Sequence, residues 1–211
     1  LDAQGLNQQT VNLEGIPYLG SAQLVIEGTS TSPNRQRISG RQVVPLHRGE
    51  VQLGLRPGSF FGNAGKAHKF EAVAVRPDGQ TQQGVEVKLE LLRRQWNSVR
   101  KADVSGGYTW VSEVKDEKVS DQSLRTSTEP ATFEVTPEKA GYYIVRASSK
   151  DKRGNTVVTE SGFYASGSDY VAWSRNEEDT VDLVPDKKTY KPGDVATIMV
   201  KSPYENCRAL I

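Results

Sequence analysis

Two copies of one strand-forming segment lie in this chain, and this internal repeat is what most limits the folds open to it. Residues 51–73 correspond to residues 181–200, with Pro57 matching Pro185. Each copy has a short apolar strand, the proline, an aromatic residue within the next five positions, a glycine and an alternating strand. Such repetition is typical of proteins built as arrays of similar modules.

A second pair of matching segments has a different spacing. The matched positions are Gly20 with Gly141, Ala22 with Tyr143, Leu24 with Val145, Ile26 with Ala147 and Asn34 with Asn155. The first pair of segments resembles the beginning of a module, and this second pair resembles the end of a module. The order along the chain therefore predicts the C-terminal part of one module over residues 1–48, a complete module over 50–166 and the N-terminal part of a third over 178–211.

Hydrophobic residues alternate with polar ones along most of the chain, and no segment has the pattern of a helix. In the clearest strand, 85–91, valine and leucine side chains lie on one face and charged side chains on the other, which is typical of an antiparallel sheet with one solvated face. About seven strands between Val51 and Ala165 predict an all-β, antiparallel β-sandwich of the fibronectin or Ig-like type. The predicted strands are 69–75, 85–91, 108–119, 123–127, 131–135, 142–148 and 156–164. Three strands are expected within residues 1–48, and Gln95–Gly107 is predicted to be the only long loop.

Turn residues separate these strands at regular intervals. Arg76-Pro77-Asp78-Gly79 predicts a turn, because proline presets one backbone angle and glycine accepts the positive one. Residues 150–155 form a polar hairpin loop. Tyr143 opens the penultimate strand of the module, where a tyrosine of an Ig-like sandwich can hydrogen-bond back to the preceding corner. An ordinary core aromatic fits Tyr143 equally well.

The charge balance argues against a dedicated nucleic-acid binder. The chain has 27 basic and 26 acidic residues, and phosphate binding needs a concentrated basic excess. The one basic run reads as the solvated face of a hairpin; it comprises Arg35, Arg37, Arg41, His47 and Arg48. No stretch approaches the roughly 20 apolar residues that span a bilayer.

No arrangement for catalysis, cofactor binding or metal binding is recognisable. The chain has two histidines, His47 and His68, and one cysteine, Cys207, and no nucleophile elbow of the Gly-x-Ser-x-Gly type. Their spacing does not fit a metal site. The acidic runs 116–117 and 177–179 lack the pattern of a calcium loop and read as surface acids. We therefore predict no catalytic, cofactor-binding or metal-binding residue and no cofactor.

Several segments together resemble the bacterial alpha-2-macroglobulin family. Residues 181–196, with Asp-Lys-Lys-Thr-Tyr-Lys-Pro-Gly-Asp at their centre, are similar to the start of a macroglobulin module, and Lys-Ser-Pro-Tyr at 201–204 continues the match. Residues 141–147, followed by 151–155, and the strand 87–91 also resemble that family. The resemblance covers nearly the whole chain, least clearly residues 1–48.

The resemblance implies a large, envelope-associated protein, typically lipid-anchored in the periplasm, that traps proteases. A protease cuts a bait segment, the array of modules rearranges, and in many members a thioester then couples to the attacker. The thioester motif, Cys-x-Glu-Gln, is absent from this sequence, because Cys207 is followed by Arg208 and Ala209. No thioester residue is therefore assigned.

On this reading the chain is a non-catalytic scaffold fragment whose useful surfaces are the joints between modules. The predicted inter-module contacts are Arg56, Pro57, Tyr170 and Trp173. The implied partners are other modules of the same protein and, through the full-length protein, proteases; a membrane is reached only through a lipid anchor outside this sequence, and nucleic acid is not a partner. The implied location is the periplasm or cell envelope.

An alternative remains open from sequence. An Ig-like adhesin or cell-surface array would use the same strand pattern to bind a protein or carbohydrate ligand. A second alternative is the accessory sandwich of a carbohydrate-active enzyme, in which a tryptophan would stack on sugar; the candidates are Trp96, Trp110 and Trp173.

Overall fold

A computed structural model describes residues 4–13, 22–102, 108–167 and 181–202. Regular structure in these ranges is entirely β, and they contain no helix, hence none able to cross a membrane. The chain divides into two units, Leu1–Arg48 and Gly49–Ile211.

The first unit contains one antiparallel hairpin. Strand β1 (Ala22–Thr31) pairs along its whole length with β2 (Arg37–Leu46), and a five-residue loop, 32–36, joins them. Three strands were predicted for residues 1–48, and the described part of this unit contains two of them. Residues 4–13, which precede the hairpin, are described without strand pairing.

The second unit is a β-sandwich with an attached strand pair. A three-stranded sheet, in the order β3-β5-β8, faces a five-stranded sheet, β4-β10-β9-β6-β7, and β11 pairs with β12. The strands are β3 (Gln52–Pro57), β4 (Phe61–Asn63), β5 (His68–Val75), β6 (Glu86–Ala102), β7 (Tyr108–Arg125), β8 (Ala131–Val135), β9 (Gly141–Lys150), β10 (Thr156–Ser166), β11 (Leu183–Pro185) and β12 (Ile198–Val200). The predicted all-β sandwich is confirmed. Its pairing is antiparallel except where the short β4 runs parallel to β10.

The hydrophobic core lies between the two sheets. Val87, Leu89 and Leu91 of β6 are buried, as the alternation in 85–91 predicts. Phe70 of β5 and Phe163 of β10 are fully enclosed, with their ring centroids 5.5 Å apart in an edge-to-face arrangement. Full burial of one such side chain stabilises the fold by roughly 1.5–3 kcal/mol, so this cluster is the main source of stability.

Strands β6 and β7 are longer than predicted. Residues 95–102 continue β6, so the prediction of a loop over Gln95–Gly107 is wrong for this part, and the two predicted strands 108–119 and 123–127 form the single strand β7. A register shift between Leu91 and Leu92 skips Val119, so β7 carries one extra residue there while β6 stays in continuous register with β9. Beyond Arg94, β6 pairs with β7 and no longer with β9, and the sequence there is polar enough to resemble a loop.

The predicted turns and the tyrosine corner are confirmed. Gly79 has a φ of 84° and donates its N–H to the carbonyl of Arg76 at 2.9 Å. Tyr143 combines both roles that the sequence left open. Its ring is 1% exposed in the core, and its hydroxyl donates to the carbonyl of Lys139 at 2.9 Å.

The first internal repeat holds at the level of individual backbone pairs. Pro57 lies opposite Phe70 in β3–β5, and 128 residues later Pro185 lies opposite Ile198 in β11–β12. At the same separation, Gly65 and Gly193 both adopt positive φ angles, of 74° and 93°. The strand pair β11–β12 is therefore a second copy of β3–β5.

The second repeat is also present in the structure, but its alignment differs by two residues from the one that the sequence match gave. Loops 32–36 and 151–155 have the same length, and each is closed by hydrogen bonds from its first N–H to its fifth carbonyl and from its fourth N–H to its first carbonyl. The fourth positions, Arg35 and Gly154, both have positive φ, at 66° and 84°. The hairpins β1–β2 and β9–β10 thus correspond at a separation of 119 residues, whereas matching Asn34 with Asn155 implied 121.

Replacing Tyr143 with phenylalanine tests the corner. The variant keeps the buried ring but leaves the Lys139 carbonyl without its hydroxyl donor, so we expect the free energy of unfolding to fall by about 1–2 kcal/mol. Urea unfolding followed by circular dichroism measures this difference. An unchanged midpoint would mean that the hydrogen bond contributes nothing to the corner.

Candidate interface between the sandwich and the following strand pair

The described residues contain no group of three or more histidine, cysteine, aspartate or glutamate side chains that could hold a metal ion. A groove of about 560 Å³ lies beside Val51 and Gly84 at one end of the sandwich, and acidic and basic side chains both line it. Asp151 at its rim accepts hydrogen bonds from the backbone N–H groups of Glu50, Arg153 and Asn155. This carboxylate therefore closes a loop and is occupied by structural contacts.

His68 is a core residue. Its ring stacks on Phe163 with centroids 4.2 Å apart, and Nε2 lies 2.9 Å from the carbonyl oxygen of Ser59. Because the acceptor is a carbonyl, Nε2 is the protonated nitrogen and donates. Burial lowers the pKa of His68 below its ordinary value, against the opposing effect of the Ser59 hydrogen bond. The neutral ring thus anchors the loop that precedes β4.

A row of aromatic side chains crosses the outer face of the five-stranded sheet. Tyr164 on β10 lies directly opposite Tyr142 on β9, with ring centroids 4.7 Å apart. Trp96 on β6 follows, 5.6 Å from the Tyr142 ring. We call these three residues the aromatic row. Gly162 makes room for it, because a Cβ at this position would lie 1.9 Å from the Tyr142 hydroxyl.

An ion pair lies beside the Trp96 end of the aromatic row. Arg94, opposite Tyr142 in the β6–β9 register, donates two hydrogen bonds of 2.8 Å to the carboxylate of Asp116 on β7. These hydrogen bonds lower the pKa of Asp116. Glu117 accepts a hydrogen bond from Gln95. The acids 116–117, read from sequence as surface acids, are thus paired across the two strands.

Lys201 lies at the other end of the aromatic row. Its Nζ is 4.8 Å from the centroid of the Tyr164 ring and 2.7 Å from Asp182 Oδ2, and its side chain is only 14% exposed. Burial by itself disfavours the charge on Lys201, but hydrogen bonds to Asp182 and Tyr164 outweigh it and raise the pKa. A largely buried ammonium over an aromatic face is a strong form of cation–π contact.

A second contact joins the same strand pair to the sandwich. The N–H of Phe60 donates to the carbonyl of Asp186 at 3.2 Å, and Lys188 Nζ lies 5.6 Å from the Phe60 ring centroid. Phe60 belongs to the loop that His68 anchors through Ser59. The two contacts together, Lys201 on Tyr164 and Phe60 on Asp186, are called the joint below.

The contact residues predicted from sequence lie elsewhere or outside the described ranges. Arg56 on β3 is opposite Glu71 and donates to its carboxylate, and Pro57 is opposite Phe70. Tyr170 and Trp173 lie outside the described residues. Inter-module contact by these four residues stays a prediction. Sequence reasoning missed the joint residues, although Lys201 belongs to the Lys-Ser-Pro-Tyr segment that it had singled out.

Comparison with protein families gives one domain match. Residues 54–167, more than half of the chain, match the family described as bacterial macroglobulin domain 6. Two relatives named as alpha-2-macroglobulin homologues are also similar. The one from Nostoc sp. is 27% identical over 205 residues, 97% of this chain and 10% of its own length, and the one from Yersinia pestis is 24% identical over 142 residues, 67% of this chain and 7% of its own length.

Solved structures share the fold. The native conformation of Escherichia coli alpha-2-macroglobulin covers 87% of this chain with a TM-score of 0.55 and 18% identity. Salmonella alpha-2-macroglobulin reacted with methylamine covers 87% with a TM-score of 0.53 and 17% identity. This chain corresponds to 12% of each of those proteins, so it spans about a tenth of the length of its relatives.

Substitution of Gly162 by alanine tests the aromatic row. The new Cβ would overlap the Tyr142 hydroxyl and ring, so Tyr142 must rotate away, and we expect a loss of about 1–3 kcal/mol in unfolding free energy. Near-ultraviolet circular dichroism and urea unfolding measure both effects. The same substitution in a Tyr142→Ala background should cost much less, since the obstructing atoms are gone. Equal costs in both backgrounds would contradict the contact.

His68 makes stability depend on pH. Below about pH 6.5, the ordinary pKa of histidine, the unfolded chain binds a proton that folded His68 resists, so stability falls as the pH falls towards the lowered folded pKa. For one titrating group the slope cannot exceed about 1.4 kcal/mol per pH unit. Urea midpoints between pH 7.5 and 5.5 measure the slope. His68→Leu should flatten it, and a slope in this variant equal to that of the wild type would contradict the assignment.

Proposed function

Because this chain belongs to the bacterial macroglobulin family, with macroglobulin domain 6 over residues 54–167, we propose that it is a non-catalytic scaffold segment of a protease-trapping inhibitor. The segment keeps neighbouring units of a longer protein in register and transmits their change of position when a protease cuts the protein. The relatives are alpha-2-macroglobulin homologues about ten times as long as this chain, which fits a part that acts within a larger assembly.

The joint is the observation that carries this proposal. Strands β11 and β12 repeat β3 and β5, so they read as the beginning of another unit. Among the described residues, this segment contacts the sandwich through Lys201 on Tyr164, Lys188 on Phe60 and one backbone hydrogen bond. Such a contact is directional but small. A small, polar joint suits units that must change position relative to one another, because intrachain interfaces of this kind favour relative motion.

The aromatic row gives the joint a connection to the rest of the sheet. Tyr164 contacts Lys201 on one side and Tyr142 on the other. Tyr142 in turn contacts Trp96, which lies where β6 continues beyond its pairing with β9 and pairs with β7 alone. A displacement of the following strand pair would therefore act on rigid strands. We propose that the aromatic row, which has no catalytic or cofactor-binding group, is the part of the segment that transmits this displacement.

Partners and location follow from the same proposal. The partners are the neighbouring units of the longer protein and, through the whole protein, proteases. The protein works in the periplasm or at the cell envelope, and any membrane attachment is made by a lipid anchor elsewhere in the longer protein. The chain has no role in nucleic-acid binding, in keeping with its net charge of +1.

Two measurements test the scaffold role. The joint is tested in the 211-residue chain by Lys201→Met, which keeps the aliphatic stem and removes the ammonium. We expect hydrogen exchange of the Phe60 amide to become several-fold faster, because that amide is bonded to the following strand pair. Lys191→Met, an exposed lysine of the same segment, is the control and should leave the Phe60 rate unchanged.

The function is then tested in a full-length macroglobulin that contains this chain. Elastase treatment of the wild type should shift its mobility on a native gel, and Lys201→Met should alter that shift while Lys191→Met should not. The isolated chain should neither hydrolyse peptide substrates nor reduce the activity of elastase. Inhibition by the isolated chain would overturn the scaffold role, and an unaltered shift in the Lys201 variant would remove the joint from the mechanism.

A further inference from the structure

The loop between β11 and β12 contains the segment Asp-Lys-Lys-Thr-Tyr-Lys-Pro-Gly-Asp, residues 186–194, on which the resemblance to the start of a macroglobulin module is centred. Asp186, its first residue, makes two kinds of contact. Its main-chain carbonyl accepts the N–H of Phe60 in the joint at 3.2 Å. Its carboxylate Oδ1 accepts the Tyr190 hydroxyl at 2.5 Å and the Thr197 N–H at 3.1 Å. The residue that contacts the sandwich therefore also holds the loop together.

Tyr190 lies at the centre of the hydrogen bonds in this loop. Its hydroxyl donates to Asp186 and accepts the N–H of Lys187 at 3.2 Å, and Lys187 Nζ lies 5.7 Å from the centroid of the Tyr190 ring. The hydrogen bond to Asp186 raises the pKa of Tyr190, and the same bond lowers the pKa of Asp186, as expected for a hydroxyl that donates to a carboxylate. We call Asp186, Lys187 and Tyr190 the clamp.

One peptide group connects the clamp to the joint. The Asp186 carbonyl and the Lys187 N–H belong to the same peptide, which is planar and trans, so the two groups point in opposite directions. Tyr190 binds the N–H, and Phe60 binds the carbonyl. A hydrogen bond on one side of this peptide restricts its plane and therefore the direction of the carbonyl on the other side. Groups in such a chain of hydrogen bonds also polarise one another.

The clamp is not needed to close a loop of this kind. The closing bond from the Asp186 N–H to the Thr197 carbonyl, at 2.9 Å, recurs with the same length 128 residues earlier, in the loop between β3 and β5. The clamp does not recur there, because the residues that correspond to Asp186 and Tyr190 are Gly58 and Gly62, which have no side chain. Closure and clamp are therefore separate features, and the clamp belongs to the loop whose first carbonyl binds the sandwich.

We propose that the clamp positions the Asp186 carbonyl and the Lys188 ammonium on Phe60, so that Tyr190 is a positioning residue of the joint. Lys188 lies in the chain between the clamp residues Lys187 and Tyr190, and its Nζ is 5.6 Å from the centroid of the Phe60 ring. The inference rests on the proposed function, since the joint is the contact that the scaffold uses. It concerns a separate set of hydrogen bonds, however, so the two can fail independently.

Tyr190→Phe tests the clamp in the 211-residue chain, because it removes the hydroxyl and keeps the ring. We expect hydrogen exchange of the Phe60 amide to become several-fold faster and the pKa of the Asp186 carboxyl to rise towards its ordinary value, both measured by NMR. The amide of Asp194, which donates to the Lys191 carbonyl in the same loop, should keep its rate. Equal acceleration of the Asp194 amide would mean that Tyr190 only holds the loop together, and the proposal would be wrong.

Two substitutions of Asp186 test the other half of the clamp. Asp186→Ala removes the side-chain acceptor and should accelerate Phe60 exchange as much as Tyr190→Phe does. Asp186→Asn keeps an acceptor oxygen and should have a smaller effect; equal effects of alanine and asparagine would contradict the role of the hydrogen bond. Thr189→Val, next to Tyr190 in the chain, is the control and should change neither the Phe60 rate nor the Asp186 pKa.

Comparison with the Lys201 variant separates this inference from the proposed function. If Lys201→Met accelerates Phe60 exchange and Tyr190→Phe does not, the joint stands and the positioning role of Tyr190 is wrong. If neither variant accelerates it, both the positioning role and the joint are wrong. The amide of Thr126, which donates to the Val85 carbonyl within the sandwich, should keep its wild-type rate in every variant and so shows that the sandwich is intact.

Discussion

The second unit depends on the enclosure of the Phe163 ring between its two sheets. His68 stacks on one side of this ring, and Phe70 and Tyr143 lie 5.5 and 5.7 Å from it by ring centroids. Removing such a ring costs on the order of 3–5 kcal/mol, a large share of the stability of one domain. The contacts of Phe163 also reach the loops, since Tyr143 closes the corner at Lys139 and His68 anchors the loop at Ser59. Core and loops are therefore fixed by the same cluster.

Strand β10 connects this core to the joint because adjacent residues of a strand lie on opposite faces. Phe163 faces the core, whereas Tyr164 faces outward and contacts Lys201. Gly162, two residues before Tyr164 and on the same face of the strand, leaves the space that Tyr142 occupies. A one-residue slip of β10 would exchange the two faces and destroy the core and the joint together. The position of the joint is thus set by the core, which is why a small contact can be precise in its geometry.

The sequence predicts the fold better than the site, and particular residues show why. The separation of 128 residues between β3–β5 and β11–β12 can be read from matched prolines and glycines, because the backbone angles of these residues are restricted or special. The structure has the same separation in each pair of opposite residues. The second separation is misjudged by two residues because Arg35 adopts the positive φ that Gly154 adopts, and nothing in an arginine signals that angle. The full length of β6 is hidden because its residues beyond Arg94 are polar enough to resemble a loop. The joint is hidden because Phe60, Tyr164 and Lys201 meet only once the order of the strands in the sheet is known, and that order is not a local property.

The repeated strand pairs separate what is local in this fold from what is not. The hairpins β1–β2 and β9–β10 have the same register and the same loop closure, although their residues differ. Each also has an ion pair across its two strands, Glu27–Arg41 in the first and Arg146–Glu160 in the second, with the two charges exchanged. Burial is not the same, since Val145 is fully buried and its counterpart Ile26 is half exposed. A two-stranded hairpin is at best marginally stable in water without a covering sheet. Alternation and turn residues therefore specify the hairpin, whereas the burial that stabilises β9–β10 comes from the second sheet of the sandwich.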